Sequence, residues 1–336
     1  MENLDGFIEA MPKAELHVHV EGTLEPELKF VLAKRNALDL PYPSVEAMRA
    51  AYDFDDLPSF LKMYYEGMGV LLVEQDFYDL TYRYLEKAQS QNVVYAEIFF
   101  DPQAHTSRGV AYETVINGIH RAQVDGLSHL GIKTNLIVCF LRDMSAASAM
   151  EALEQSLPYK DWIIGAGLDS NEKGNPPIKF KAVFERARKE GFKLTMHCDV
   201  DQENSTVHLW QTLNDIGVDR IDHGVNALED EALCAEIKKR NLALTVCPIS
   251  NSYITGMLKA TEIKTMLEKG MRVTVNSDDP AYFPGYMTEN LIATQKEANL
   301  SKAQVVQLAA NAVEGSWLSR QDKDAFLKDL SVYGND

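Results

Sequence analysis

The sequence is poor in several things, and each shortage narrows the reading. It has only four cysteines in 336 residues, Cys139, Cys198, Cys234 and Cys247, and no C-x-x-C pairing. That speaks against a disulfide framework and for reduced, buried thiols in a cytoplasmic protein. No stretch approaches the ~18 continuous apolar residues of a membrane span, so no membrane partner is expected. The opening "MENLDGFIEAMPKAE" lacks the basic start and apolar centre of a secretory signal. Positive charge is also scarce: 33 Lys and Arg stand against 50 Asp and Glu, a net charge of −17. So acidic a chain is a poor general binder of nucleic acid, whose phosphates it repels. The plain meaning of the charge is solubility, and it says little about any one pocket.

What the chain does have is eight short apolar runs. They are 14–20, 92–100, 133–140, 162–169, 192–198, 220–224, 242–248 and 272–278. Several are near-continuous rather than alternating, as strands buried on both faces are. Helical patterns such as "PIKFKAVFERARKEG" and "EDEALCAEIKKRN" lie between them and stop near Gly or Asn. Strand–helix alternation carried to eight strands predicts an α/β fold, a (β/α)8 TIM barrel. The first interval, 21–91, is about twice what one crossover needs and predicts a helical insertion after strand 1. Residues 53–75 are expected to cover the barrel mouth, with Phe60 and Tyr64 facing it. No linker interrupts the chain, so 1–336 is expected to be a single barrel domain.

In such a barrel the chemistry sits at the C-terminal strand ends. Strand 1 offers His17 and His19, strand 5 ends on His197, strand 6 holds Asp222 and His223, and strand 8 ends with Asp278 and Asp279. Residues i and i+2 of a strand share a face, so His17 and His19 can converge on one ion inside the barrel. With His197 and Asp278 in matching places, the donor set suits one Zn2+ with room for a water. A zinc-bound water ionises near pH 7 and becomes a hydroxide nucleophile. His223 can orient that hydroxide or take its proton. Asp279 cannot share the facing of Asp278 in a regular strand, but it can turn toward substrate if the strand has already ended. Each of these residues also has a bland reading, as a packed strand-end histidine or a turn carboxylate before Pro280.

The segments "PKAELHVHVEGTLEPE", "GLDSNEKGNPPIKF", "RIDHG", "LTVCPISN" and "VTVNSDDPAYF" closely resemble the adenosine/adenine deaminase family of the amidohydrolase superfamily, nearest its adenine deaminase branch. The resemblance spans nearly the whole chain. It implies a (β/α)8 barrel, one zinc per subunit, and hydrolytic removal of the 6-amino group of a purine, with zinc-bound hydroxide attacking C6. By position it makes His17, His19, His197 and Asp278 the metal ligands. His223 becomes the residue that handles the hydroxide, and Asp279 the carboxylate that contacts the purine ring. Gly167 becomes a backbone donor to the ring, and Glu172 with the "GNPP" turn lies near the substrate.

One position departs from the pattern. After the strand-5 histidine the family carries alanine, glycine and a glutamate that protonates the ring; here Cys198, Asp199 and Val200 follow His197. A positioned general acid is worth about 10²–10⁴-fold, and valine supplies no proton. Asp199 is one residue early and one methylene shorter, and a local bulge would swing it inward. Asp201 and Glu203 could reach back, or all three acids are solvated and the substrate has changed. Three functions therefore stand. The first is a purine deaminase acting on adenine, adenosine or an N6-substituted adenine. The second is an amidohydrolase cleaving a non-purine C–N bond. The third is a metal- or purine-binding protein with little turnover. The expected partner is a small purine, and a homo-oligomer is compatible with the sequence.

Overall fold

The computed structural model describes residues 3–54 and 56–334. The eight apolar runs become parallel strands: β1 (Lys13–His19), β2 (Val93–Phe100), β3 (Lys133–Leu141), β4 (Ile163–Asp169), β5 in two pieces (Lys193–Leu194 and His197–Cys198), β6 (Ile221–His223), β7 (Ala243–Val246) and β8 (Arg272–Val275). Every pairing between neighbours is parallel. The first piece of β5 pairs with β4 and the second with β6. Backbone bonds bridge the gap: Thr195 donates to the Ala166 carbonyl at 3.0 Å, and Asp222 to that of Met196 at 2.9 Å. The ladder then returns to its start. Val18 bridges Asp278, with His19 donating to the Asp278 carbonyl at 3.0 Å and Asp278 to that of His17 at 3.1 Å. This is the expected (β/α)8 arrangement, and all seven residues of β1 are buried, as a strand covered on both faces must be.

Between β1 and β2 the chain inserts helices Pro26–Arg35, Val45–Ala50 and Leu57–Gly67 ahead of the crossover helix Glu74–Ser90. Leu57–Gly67 starts at a capping box in which Asp56 and Ser59 bond each other's backbone. It lays Phe60, Leu61 and Tyr64 over the barrel mouth, where Phe60 packs on Tyr282 and Phe283 and Tyr64 on Tyr282. Within 53–75, Asp55 lies outside the described residues; the helix around Phe60 and Tyr64 forms the cover expected there. Among the described residues no helix is long and apolar enough to cross a membrane.

The opposite end of the barrel is closed by a buried ion pair under an indole. Arg220 and Glu97 are both fully buried and bond each other. The Arg220 guanidinium lies 4.3 Å from the Trp317 ring, and the Trp317 backbone N–H donates to Glu97 Oε1 at 2.6 Å. Removing one partner of a buried pair strands the other charge, at a cost of roughly 3–5 kcal/mol. Arg220→Ala should therefore lower unfolding stability by about that amount in urea titrations. A loss under about 1 kcal/mol would show that the pair does not hold the floor.

Candidate active site

The donor atoms at the C-terminal strand ends are gathered tightly. Asp278 Oδ1 lies 3.2 Å from His17 Nε2 and 3.4 Å from His19 Nε2. His19 Nε2 lies 3.1 Å from His197 Nε2, and the His17 and His197 rings are 4.7 Å apart. Two ligands on a tetrahedral ion with bonds of about 2.0–2.1 Å sit roughly 3.3 Å from each other, so these gaps fit one ion. His17 Nε2 is buried without a hydrogen-bond partner. Burial also lowers the pKa of His19 and His197, which favours the neutral imidazoles a metal requires. Burial works against the Asp278 carboxylate, yet His17, His223 and His19 hold its pKa well below the usual range.

A second layer orients these ligands. Thr245 donates its hydroxyl to Asp222 Oδ1 at 3.0 Å, so it accepts from His17 Nδ1 at 2.8 Å, which leaves the Nε2 lone pair facing the centre. Thr195 donates to the other Asp222 oxygen at 2.6 Å, and His19 Nδ1 lies 3.4 Å from Asp169 Oδ2.

Backbone geometry explains how neighbouring residues reach the same space. β8 ends at Val275, and Asp278 has φ +66°, so Asp279 is freed from strand alternation and faces the cavity beside Asp278. His223 at φ +56° and Ser170 at φ +73° leave their strands the same way, a strained conformation for residues with a Cβ. Asp279 Oδ1 is buried and unpartnered. A Cβ at Gly22 would fall 2.0 Å from that oxygen, so the close approach requires glycine there. Burial, then the charges of Asp278 and Asp169, push the Asp279 carboxyl up.

Beyond Cys198 the chain leaves β5 and turns Asp199 inward. Its N–H donates to Glu172 Oε2 at 2.8 Å, and its carboxyl sits 3.4 Å from His223 Nε2. Burial pushes Asp199 up to about 7, against the opposing pull of His223. Val200 lines the same cavity with no polar side-chain atom. Asp201 points elsewhere, to Lys259 at 2.7 Å and Asn226 at 3.0 Å, and Glu203 is exposed. Only the first acid of "DVDQEN" faces the cavity.

Two expected residues are not brought to it. Gly167 lies inside β4, where a Cβ would meet Cys139 Sγ at 2.6 Å; the strand runs two residues further before it reaches the mouth. Glu172 is fully buried behind the cavity wall. It bonds His208 Nδ1 at 2.5 Å, lies 3.5 Å from Arg142, and accepts from the Asp199 backbone, so it supports the wall rather than lining it. Conversely, Asp101 after β2, Asp169 at the end of β4, Ser170 and Tyr65 line the cavity without having been singled out. "EIFFDP" and "AGLDSN" carried the signal: a polar residue directly after an apolar run, as at strands 1, 5, 6 and 8.

Together the cavity-facing residues line a concave site beneath the Leu57–Gly67 helix, with apolar and aromatic walls and a few convergent polar groups, as a small-molecule site has. Among the described residues, five aspartates line it, Asp101, Asp169, Asp199, Asp278 and Asp279, together with His19, His197 and His223, and no Lys or Arg does.

Four known proteins or patterns resemble this chain. The adenosine deaminase family pattern matches residues 12–333. An adenine deaminase of Chlorobium phaeobacteroides is 50% identical over 98% of both chains. The crystal structure of adenine deaminase from Arthrobacter aurescens superposes with a TM-score of 0.93 at 43% identity, over 97% of this chain and 100% of that one. An amidohydrolase from Burkholderia ambifaria, solved with bound Zn, gives 0.88 at 25% identity over 98% and 93%.

The donor set predicts one divalent ion per chain. Elemental analysis of the purified protein should find it, and the double variant His17→Ala, His19→Ala should lose it. Unchanged stoichiometry in that variant would remove both histidines from the ligand set.

Proposed function

The chain belongs to the adenosine deaminase family and is a hydrolytic deaminase; from that premise we propose that it removes the 6-amino group of a purine, adenine first, and that its metal is zinc. The carrying observation is that Asp199 and Asp279 line one cavity with His223, His19, His197 and Asp278. Zinc, held by His17, His19, His197 and Asp278, would supply a hydroxide nucleophile near neutral pH.

The protein's own residues do the rest. His223, 3.8 Å from Asp278 Oδ2, orients the attacking water and takes its proton. Attack at C6 places negative charge on N1, and a proton delivered there neutralises it. Asp199 is the donor: its carboxyl is raised to about 7, so much of it carries a proton near neutral pH, and its backbone is pinned by Glu172. It does from one residue earlier what the family's glutamate does, because the chain leaves β5 at Cys198. Asp279 holds the imidazole edge of the base at N7. The oxygen of water bonds to C6; His223 passes the proton it took to the amino nitrogen, the C6–N bond breaks and ammonia leaves, and the remaining hydroxyl proton returns to Asp199 as the 6-oxopurine forms with its N1–H. The Phe60–Tyr64 helix excludes water from this centre. An N6-alkyl adenine is the second substrate reading, supported by the apolar side chains Leu57, Leu61 and Ile254 in the same cavity.

Two variants test the assignments on adenine, followed by loss of substrate absorbance. His223→Ala should keep its metal and lose about 10²-fold or more in kcat; near-normal kcat would return His223 to a packing role. Asp199→Asn should cost at least about tenfold in kcat. If it is silent, and Val200→Glu adds no adenine turnover, Asp199 is not the proton donor and the substrate is not a simple 6-aminopurine.

A further inference from the structure

Asp101 is a charged-type residue in the cavity that the proposed chemistry does not use. It follows β2 directly, is 1% exposed, and lines the cavity with an Oδ1 that has no hydrogen-bond partner. Its backbone is fixed: the Asp101 N–H donates to Glu21 Oε1 at 3.1 Å, and the same oxygen bonds His105 Nε2 at 2.9 Å. Neighbouring Asp169 is partnered instead: it shares a proton with the Asp101 carboxyl, which burial pushes up, and lies against Cys139 and 3.4 Å from His19 Nδ1, so the acceptor left open on this side is Asp101 Oδ1. A buried acceptor without a donor costs about 1–3 kcal/mol, so such atoms mark where a ligand's N–H belongs.

The acids divide into two sides. Asp101, Asp169 and His19 have ligand atoms within 4.8 Å of one another, and so do His19, Asp278 and Asp279. Asp199 stands apart, beside His223. A purine has the same asymmetry, with N1 on one side of C6 and the fused five-membered ring on the other. With C6 at the metal-binding residues and N1 toward Asp199, the five-membered ring turns toward Asp279 and Asp101. A free 6-aminopurine base has one N–H on that ring, and a nucleoside has none, because the sugar replaces the proton.

We propose that Asp101 is a specificity residue that accepts a hydrogen bond from the five-membered-ring N–H of the base and thereby selects the free base over its nucleoside. This rests on the 6-aminopurine reading given above. A site built to bond an N–H rejects the analogue lacking it far more strongly than an apolar pocket rejects a change of size, by up to about 10⁴–10⁵. The lining acts in the same sense on nucleotides, since five aspartates and no cation meet a phosphate.

The test compares kcat/KM for adenine and 9-methyladenine in the zinc-loaded wild type, Asp101→Ala and Asp101→Asn. The methyl group removes the N–H without adding a sugar. The wild type should prefer adenine by about 100-fold or more. In Asp101→Ala that preference should shrink at least about tenfold, mainly through a raised KM for adenine, and Asp101→Asn, which keeps an acceptor oxygen, should retain part of it. A merely structural role would depress both substrates alike. An unchanged ratio in a variant with full zinc content overturns the assignment, as would loss of a second metal ion per chain. Should the variants fail to fold, the wild type alone decides: calorimetric binding of hypoxanthine at least about tenfold tighter than 9-methylhypoxanthine supports Asp101 as an N–H acceptor, and equal affinity refutes it. Selective binding by a wild type that deaminates no adenine would sink the catalytic reading and leave the binding assignment standing.

Discussion

The backbone pairing of β1 with the segment after β8 is the constraint on which the rest depends. His19 donates to the Asp278 carbonyl and Asp278 to that of His17. These two bonds complete the ring of strands, and they involve three of the four residues proposed to hold the metal. Closing the barrel and assembling the site are therefore one event. Two imidazoles reach the centre because they alternate along β1, and the carboxylate reaches it because the ladder sets its register against them. An ion bound there also ties the first and last strands together, so its binding free energy adds to the stability of the closed state.

From that seam a continuous polar column runs through the barrel. Trp317 lies under Arg220 at the floor, Arg220 bonds Glu97 and lies 3.5 Å from Asp222, and Asp222 is bonded by Thr245, which in turn holds His17. Arg220, Glu97, Asp222, Thr245 and His17 are buried and each bonds another polar group, which offsets the desolvation penalty of a polar core, while Trp317 is half-buried. At the rim, His223, Asp278 and Ser170 take left-handed backbone conformations and turn their side chains into the cavity. The floor is built for rigidity, and the mouth for aim.

The sequence was most legible where a regular period governed the outcome. Strand positions and the shared face of His17 and His19 follow from alternation and hydrophobicity, and both are as the structure has them. Legibility failed where the chain leaves the strand. The end of β4 at Asp169 agrees with the apolar run 162–169, but the resemblance points to Gly167 inside the strand, while Asp169 and Ser170 at its end are the residues that line the cavity. Glu172 was set at the substrate, yet its partners Arg142 and His208 lie 30 and 36 residues away in sequence and draw it behind the wall. Asp199, in contrast, could only be judged once the bond from its backbone to Glu172 was visible. Turns of one or two residues decide which acid enters the cavity, and no periodicity encodes them.

The seam also has a history in time. Leu16 donates to the side chain of Asn276, and Glu15 accepts from Ser277, contacts that span 260 and 262 residues. At a synthesis rate of roughly 5–20 residues per second, that separation takes roughly 13–50 s to translate. Throughout that interval β1 has no partner along one edge, and it is a strand apolar enough to be buried on both faces once folded. An unpaired apolar edge of this kind is a template for pairing with other chains. During each round of translation the emerging chain thus offers holding chaperones a target for tens of seconds, and the same two backbone bonds that finish the barrel withdraw it.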